Sequence, residues 1–189
     1  MGDPERSDDQ VLVARVQRGD TAALDELVAR YHAPLAQYLE RMLGEPETAR
    51  EVTQETFLRM MRALPRYRPR AKFSTWLYTI ATNLARDELR RRQNRQERHR
   101  PLEDADQGEV AEPPVPLVET ALGRVVRDDI KKALAGLSPE HREVIILHYY
   151  QGLSYKEIAE ASRCTVGTVG SRLHYAIKHL RRHLGAAEE

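Results

Sequence analysis

The stretch from Ser154 to Leu184 constrains this chain more than any other: it spells a short helix, a tight turn of about three residues and a longer helix. Ile158 and Ala159 of the first helix face a core, and Val166, Val169 and Leu173 line the inner side of the second. Ile177 and Leu180 continue that inner stripe. Ser171, His174, Tyr175 and Lys178 therefore fall on the outer side of the same helix, where they would meet base edges in a major groove. Thr165 stands at the N-cap position. Thr168 and Arg172 lie near the helix start, where N–H groups and a cation hold phosphates and fix register without reading sequence.

A formal net charge of +1 conceals a strong segregation along the chain. Residues 1–64 are net −4, residues 65–100 net +8, residues 101–129 net −6 and residues 130–189 net +3. Two basic blocks separated by an acidic one imply two places that face phosphate. The single cysteine, Cys164, excludes an intramolecular disulfide and a cysteine-based zinc site, and suits a reducing cytoplasm. The N-terminus is acidic and polar, and no run of eighteen apolar residues occurs, so no membrane insertion is expected.

Periodicity predicts an all-α chain of two small helical domains. Leu24, Leu27, Val28, Tyr31, Leu35, Tyr38, Leu39 and Met42 form one long stripe after the Asp20/Thr21 cap region, with Pro34 expected to kink or break it. Gly44 and Pro46 end that helix and start another, whose Ala49, Val52, Thr56, Phe57, Met60 and Leu64 share a face. A further helix runs from Phe73 to about Arg92, with Trp76, Leu77, Ile80, Ala81 and Leu84 inward. Residues 1–100 thus form a first domain. Residues 101–117 hold four prolines, several acids and few hydrophobes, the composition of a flexible linker that leaves two heads mobile. Residues 118–189 form the second domain: a helix to Ala135, another over Pro139–Tyr150 opened by a Ser138 cap, then the helix-turn-helix.

The basic block has its own chemistry. Arg66, Arg68, Arg70 and Lys72 surround Tyr67 in a proline-braced loop, and the next helix aligns Thr79, Asn83, Arg86 and Arg90, with Asp87 beside Asn83. Single-stranded DNA needs cations for its backbone and flat rings for its unstacked bases. Trp76, at the same end of this helix, could be a core anchor or a stacking platform, and its spacing favours the core.

These motifs resemble the extracytoplasmic-function sigma factors of the sigma-70 family. The resemblance rests on Glu51, Gln54, Glu55 and Phe57; on the run from Phe73 through Trp76 and Ile80 to Asn83; on Leu137 to Glu140; and on Glu157 with Val166 to Leu173. It implies a dissociable initiation subunit of bacterial RNA polymerase, cytoplasmic, without catalytic residues, metal or cofactor. It implies polymerase docking through Glu51, Gln54, Glu55, Phe57 and Arg59. The minus-ten element would be opened and held by Arg66, Tyr67, Arg68, Lys72, Trp76, Thr79, Asn83, Arg86, Asp87 and Arg90. The minus-thirty-five duplex would be read by Thr165, Thr168, Gly170, Ser171, Arg172, His174, Tyr175 and Lys178. An anti-sigma factor is the implied restraint.

The chain departs from the family pattern at three positions: Arg163 where a turn glycine is common, and Gly170 and Tyr175 where basic residues are common. A non-glycine left-handed residue and a mid-helix glycine each cost about 1 kcal/mol, so the fold tolerates both and readout changes instead. Two other classes stand beside this reading. An autonomous regulator would have no need of a single-strand groove, and a metal enzyme built on His179 and His183 lacks a third ligand.

Overall fold

The computed structural model describes residues 4–69, 71–98 and 129–185, and all regular structure among them is helical. Helix α1 spans Pro4–Gln17, α2 Thr21–Leu43 and α3 Pro46–Ala63, followed by a 3-10 turn at Leu64–Arg66. Helix α4 spans Phe73–Arg98. The second head comprises α5 over residues 129–135, α6 at Pro139–Ile145 continued by a π-wound turn at Ile146–Tyr150, α7 at Tyr155–Ser162 and α8 at Val166–Gly185. The expected linker 101–117, the start of the second domain and Arg70 lie outside the described residues.

Local chemistry sets the ends. Asp20 caps α2 by accepting from the Ala23 N–H at 3.2 Å, a bond that, with Arg15, holds its carboxyl below the usual range. Gly44 closes the same helix at φ 73°, donating its N–H to the Glu40 carbonyl at 2.8 Å. Between these caps α2 runs on through Pro34, where a kink or break was expected. Leu35, Tyr38 and Leu39 are fully buried beyond it, and that packing outweighs one missing backbone bond. Helix α4 likewise continues past Arg92. Its last turns have no apolar stripe; Arg91, Arg92 and Arg95 instead gather on Glu88 at 3.5, 3.6 and 3.8 Å.

Ser154 and Glu157 form a capping box that starts α7: the Ser154 N–H donates to the Glu157 carboxylate at 2.8 Å, and the Glu157 N–H to the Ser154 hydroxyl at 3.4 Å. Arg163 takes the left-handed conformation at φ 52°, as the turn demands. Thr165 then caps α8 by accepting from the Thr168 N–H at 3.1 Å. Val166 is a correction to the expected inner stripe. As the first residue of α8 it precedes the turn that meets the core and stays 49% exposed, while Val169, Leu173 and Ala176 carry the packing.

The described parts of the two heads are not apart. One apolar core runs from Leu39, Leu77 and Ala81 of the first into Ile145, Leu147 and Ile158 of the second, and α4 lies along α7. Among the described residues, no helix is long and apolar enough to cross a membrane.

Candidate nucleic-acid interface

Helix α8 presents the face that its spacing predicts. Val169 and Leu173 are buried and Ile177 and Leu180 pack against the core, whereas Ser171, His174, Tyr175 and Lys178 are exposed. Tyr175 is 61% exposed and sits beside His174, their ring centroids 5.7 Å apart. Gly170 opens onto empty space, so a side chain there meets nothing. Arg172 differs from its neighbours. It is half-buried, its Nη1 is buried with no hydrogen-bond partner among the described residues, and its charge bears on Glu140 and Glu143 of α6.

The basic loop is braced from behind. Gln17 of α1 donates to the carbonyls of Leu64 at 3.0 Å and Tyr67 at 2.8 Å. The Tyr67 ring packs on Trp76, with Phe73 and then Tyr31 extending the cluster. Trp76 is therefore half-buried and joined to the core on one side while its stack with Tyr67 forms a wall of the loop. Arg66 and Arg68 point to solvent. On α4, Thr79 and Asn83 are half-exposed, and Asp87 and Arg90 are exposed and 3.9 Å apart.

Two cations of this surface reach across to the second head. Lys72 pairs with Glu157 at 3.5 Å, and Arg86 forks onto both oxygens of Glu143 at 2.8 Å each. Burial pushes the Glu143 carboxyl up, and Arg86, a hydrogen bond from Ser162 and the Arg172 charge draw it back. Nothing in spacing pointed to Glu143 as a partner. The one available signal was a charged residue directly before the apolar run Val144, Ile145, Ile146 and Leu147.

A third surface lies between α2 and α3, a groove of ≈ 700 Å³ lined by Val28, His32, Glu40, Arg50, Gln54, Phe57 and Met61 among others. Phe57 is buried at its floor and stacks on His32 at 6.0 Å. Glu51 and Arg59 are exposed beside it, and Glu55 holds Arg59 at 2.7 Å. His32 and Glu40 join this surface without having been singled out, because α2 was read for its core stripe alone; Arg50 belongs with Glu51, Gln54, Glu55 and Arg59 to the polar face read on α3.

Helices throughout the described residues, a helix-turn-helix at one end and a basic, aromatic loop on the other helical head are the architecture of a DNA-binding protein. Residues 27–95 match the family model of Sigma-70 region 2, and residues 127–180 that of Sigma-70, region 4. The chain is 37% identical to the RNA polymerase sigma-H factor of Pseudomonas aeruginosa over 175 residues, 89% of each chain. It is 36% identical to the ECF RNA polymerase sigma-E factor of Haemophilus influenzae over 180 residues, 91% of this chain and 93% of that one. Its fold is similar to that of CnrH in complex with the cytosolic domain of CnrY, with a TM-score of 0.69, 29% identity and coverage of 95% and 98%. The chain belongs to the extracytoplasmic-function RNA polymerase sigma factors of the sigma-70 family.

Proposed function

We propose that this protein is a dissociable sigma factor that directs RNA polymerase to particular promoters and helps to open them, with no catalysis of its own. The observation that carries the reading is the succession of region 2 and region 4 along one chain, each presenting a surface suited to a different form of DNA. The first head, to about residue 100, holds the opened minus-ten strand: Arg66, Arg68, Lys72, Arg86 and Arg90 supply cations, Tyr67 and Trp76 a ring wall, and Thr79, Asn83 and Asp87 polar edges. The second head, from residue 118 onward, reads the minus-thirty-five duplex with Ser171, His174, Tyr175 and Lys178, while Thr165 and Thr168 position α8 at phosphates around Gly170 and Arg172, half-buried against α6, supports the helix from behind. Residues 101–117 tether the two.

Core polymerase docks on α3 through Glu51, Gln54, Glu55 and Arg59 and the groove floored by Phe57. Charged and polar contacts suit a partner that must later release. Strand opening draws on binding energy, with no nucleotide hydrolysed. The protein works in the cytoplasm, where polymerase is, and an anti-sigma factor restrains it; the similar CnrH is seen bound to a cytosolic domain of another protein. The test is reconstitution: purified protein is added to core polymerase and transcripts initiated on fragmented genomic DNA are sequenced. Defined new start sites are expected. No co-migration with core and no new start sites would end the proposal.

A further inference from the structure

Two of the cations assigned above to the minus-ten strand are occupied by carboxylates of the protein's own second head. Arg86 gives Glu143 a bidentate pair at 2.8 Å and donates from Nη1 to the Ser162 carbonyl at 3.1 Å, so it grips α6 and the end of α7 at once. The Glu143 side chain is 1% exposed, and the Ser162 hydroxyl donates to the same carboxylate. Lys72 faces Glu157 at the start of α7. Two further bonds join the heads: the Tyr78 hydroxyl donates to the Gln151 side-chain oxygen, and Arg142 Nη1 donates to the Met42 carbonyl at 2.9 Å. A phosphate backbone on α4 and the second head therefore compete for the same guanidinium and ammonium groups.

Separating the heads poses an electrostatic problem. A carboxylate as buried as Glu143 is costly once its cation leaves. The second head already holds a substitute: Arg172 on α8 has a buried Nη1 with no hydrogen-bond partner among the described residues, and its charge already acts on Glu143 and Glu140. Arg86 grips the carboxylate from the first head and the Arg172 charge acts on it from within the second, so a pairing with the one closes the molecule and a pairing with the other leaves it free to open.

We propose that the second head represses the first by a partner-exchange latch: Arg86 on Glu143 holds the closed, DNA-occluding state, and transfer of Glu143 to Arg172 releases it. The proposal rests on the reading of α4 as the minus-ten surface, but its test uses neither DNA nor polymerase, so either can fail without the other. Breaking the Arg86 pair frees α4 while Arg172 keeps Glu143 compensated. Losing both arginines strands the carboxylate.

The test uses the full chain with Cys164→Ser, Ala29→Cys and Arg181→Cys, spin-labelled at the two new cysteines, which lie at exposed positions on α2 and α8. Pulsed electron paramagnetic resonance should find one narrow distance in this background. Adding Arg86→Met should give a longer, broad distribution, the closed-to-open ratio falling roughly a hundredfold. Unchanged distances in Arg86→Met would overturn the latch. Thermal melting of the unlabelled proteins tests the exchange: Arg172→Met melts near the wild type and Arg86→Met moderately lower, whereas the double variant melts far below the sum of the two losses or fails to fold. Additive losses across that cycle would show that Arg172 does not take over the carboxylate.

Discussion

The Tyr67 and Trp76 rings lie 4.4 Å apart, centroid to centroid, with 38° between their planes. The aromatic side chain of the basic loop is thus held against the helix that follows it, and Phe73 meets it edge-on at 6.1 Å. A base leaving the duplex would find a wall already built from two rings, with its cations on either side, and would not have to order a mobile tyrosine.

Tyr67→Ala should therefore reduce promoter opening about tenfold, the loss of roughly one base-stacking contact. Tyr67→Phe should stay within about twofold, because the phenyl ring keeps the face on which a base would stack. Permanganate reactivity of bubble thymines in the polymerase complex measures both. Equal opening by all three proteins would remove Tyr67 from the strand-holding surface.

Arg142 gathers four carbonyls, those of Leu134, Ala135 and Leu137 at 2.9, 2.8 and 3.2 Å and that of Met42 in the other head at 2.9 Å. Burial lowers its pKa, so the guanidinium bears a desolvation cost that these acceptors offset. Arg142→Ala should cost about 3 kcal/mol by denaturant unfolding, and Arg142→Lys should recover less than half, since an ammonium lacks the planar fork. A fully stable lysine variant would contradict this account.

Glu157 supports the start of α7 and the Lys72 contact together. Burial raises its pKa, yet bonds from the Ser154 hydroxyl and N–H and the Lys72 charge prevail and hold it below the ordinary 4.5. A carboxyl with a depressed folded pKa adds stability that is present above the unfolded value and is lost as pH falls through the folded one. Glutamine can serve a capping box but carries no charge. Glu157→Gln should be less stable than the wild type at neutral pH, and the gap should close below about pH 4. Circular dichroism across an acid titration reads it; a gap that persists in acid would assign the effect to the cap alone.

Gly170 offers room for any side chain, with no heavy atom near a Cβ built there. Gly170→Lys should tighten binding of the polymerase complex to promoter DNA and steepen its salt dependence by about one unit in the log–log slope, one added phosphate contact. It should also raise helix stability by several tenths of a kcal/mol, about what glycine loses to lysine in a helix interior. A salt titration with unchanged affinity and slope would place this face of α8 away from the backbone.

Most of the helices were legible because their signals are local. The stripe from Leu27 to Met42, the Pro46 and Pro139 starts, the Ser138 cap and the left-handed Arg163 each follow from residues within one or two turns. The outer face of α8 came from the same logic, once Val169 and Leu173 were placed inward. The misses are of another kind. Pro34 did not break α2 and Arg92 did not end α4, because buried packing in one case and a cluster of cations around Glu88 in the other outweighed the local rule.

By itself the sequence determined the helical class, most of the helices and the outward face of α8, since helical period and caps depend on neighbours a few residues away. Only the tertiary structure decided that Arg86 and Lys72 face Glu143 and Glu157, and that Tyr67 leans on Trp76. A pairing between residues 57 positions apart, such as Arg86 with Glu143, leaves no periodic trace. It arises when two apolar faces join and the charges they carry into the interior must find one another.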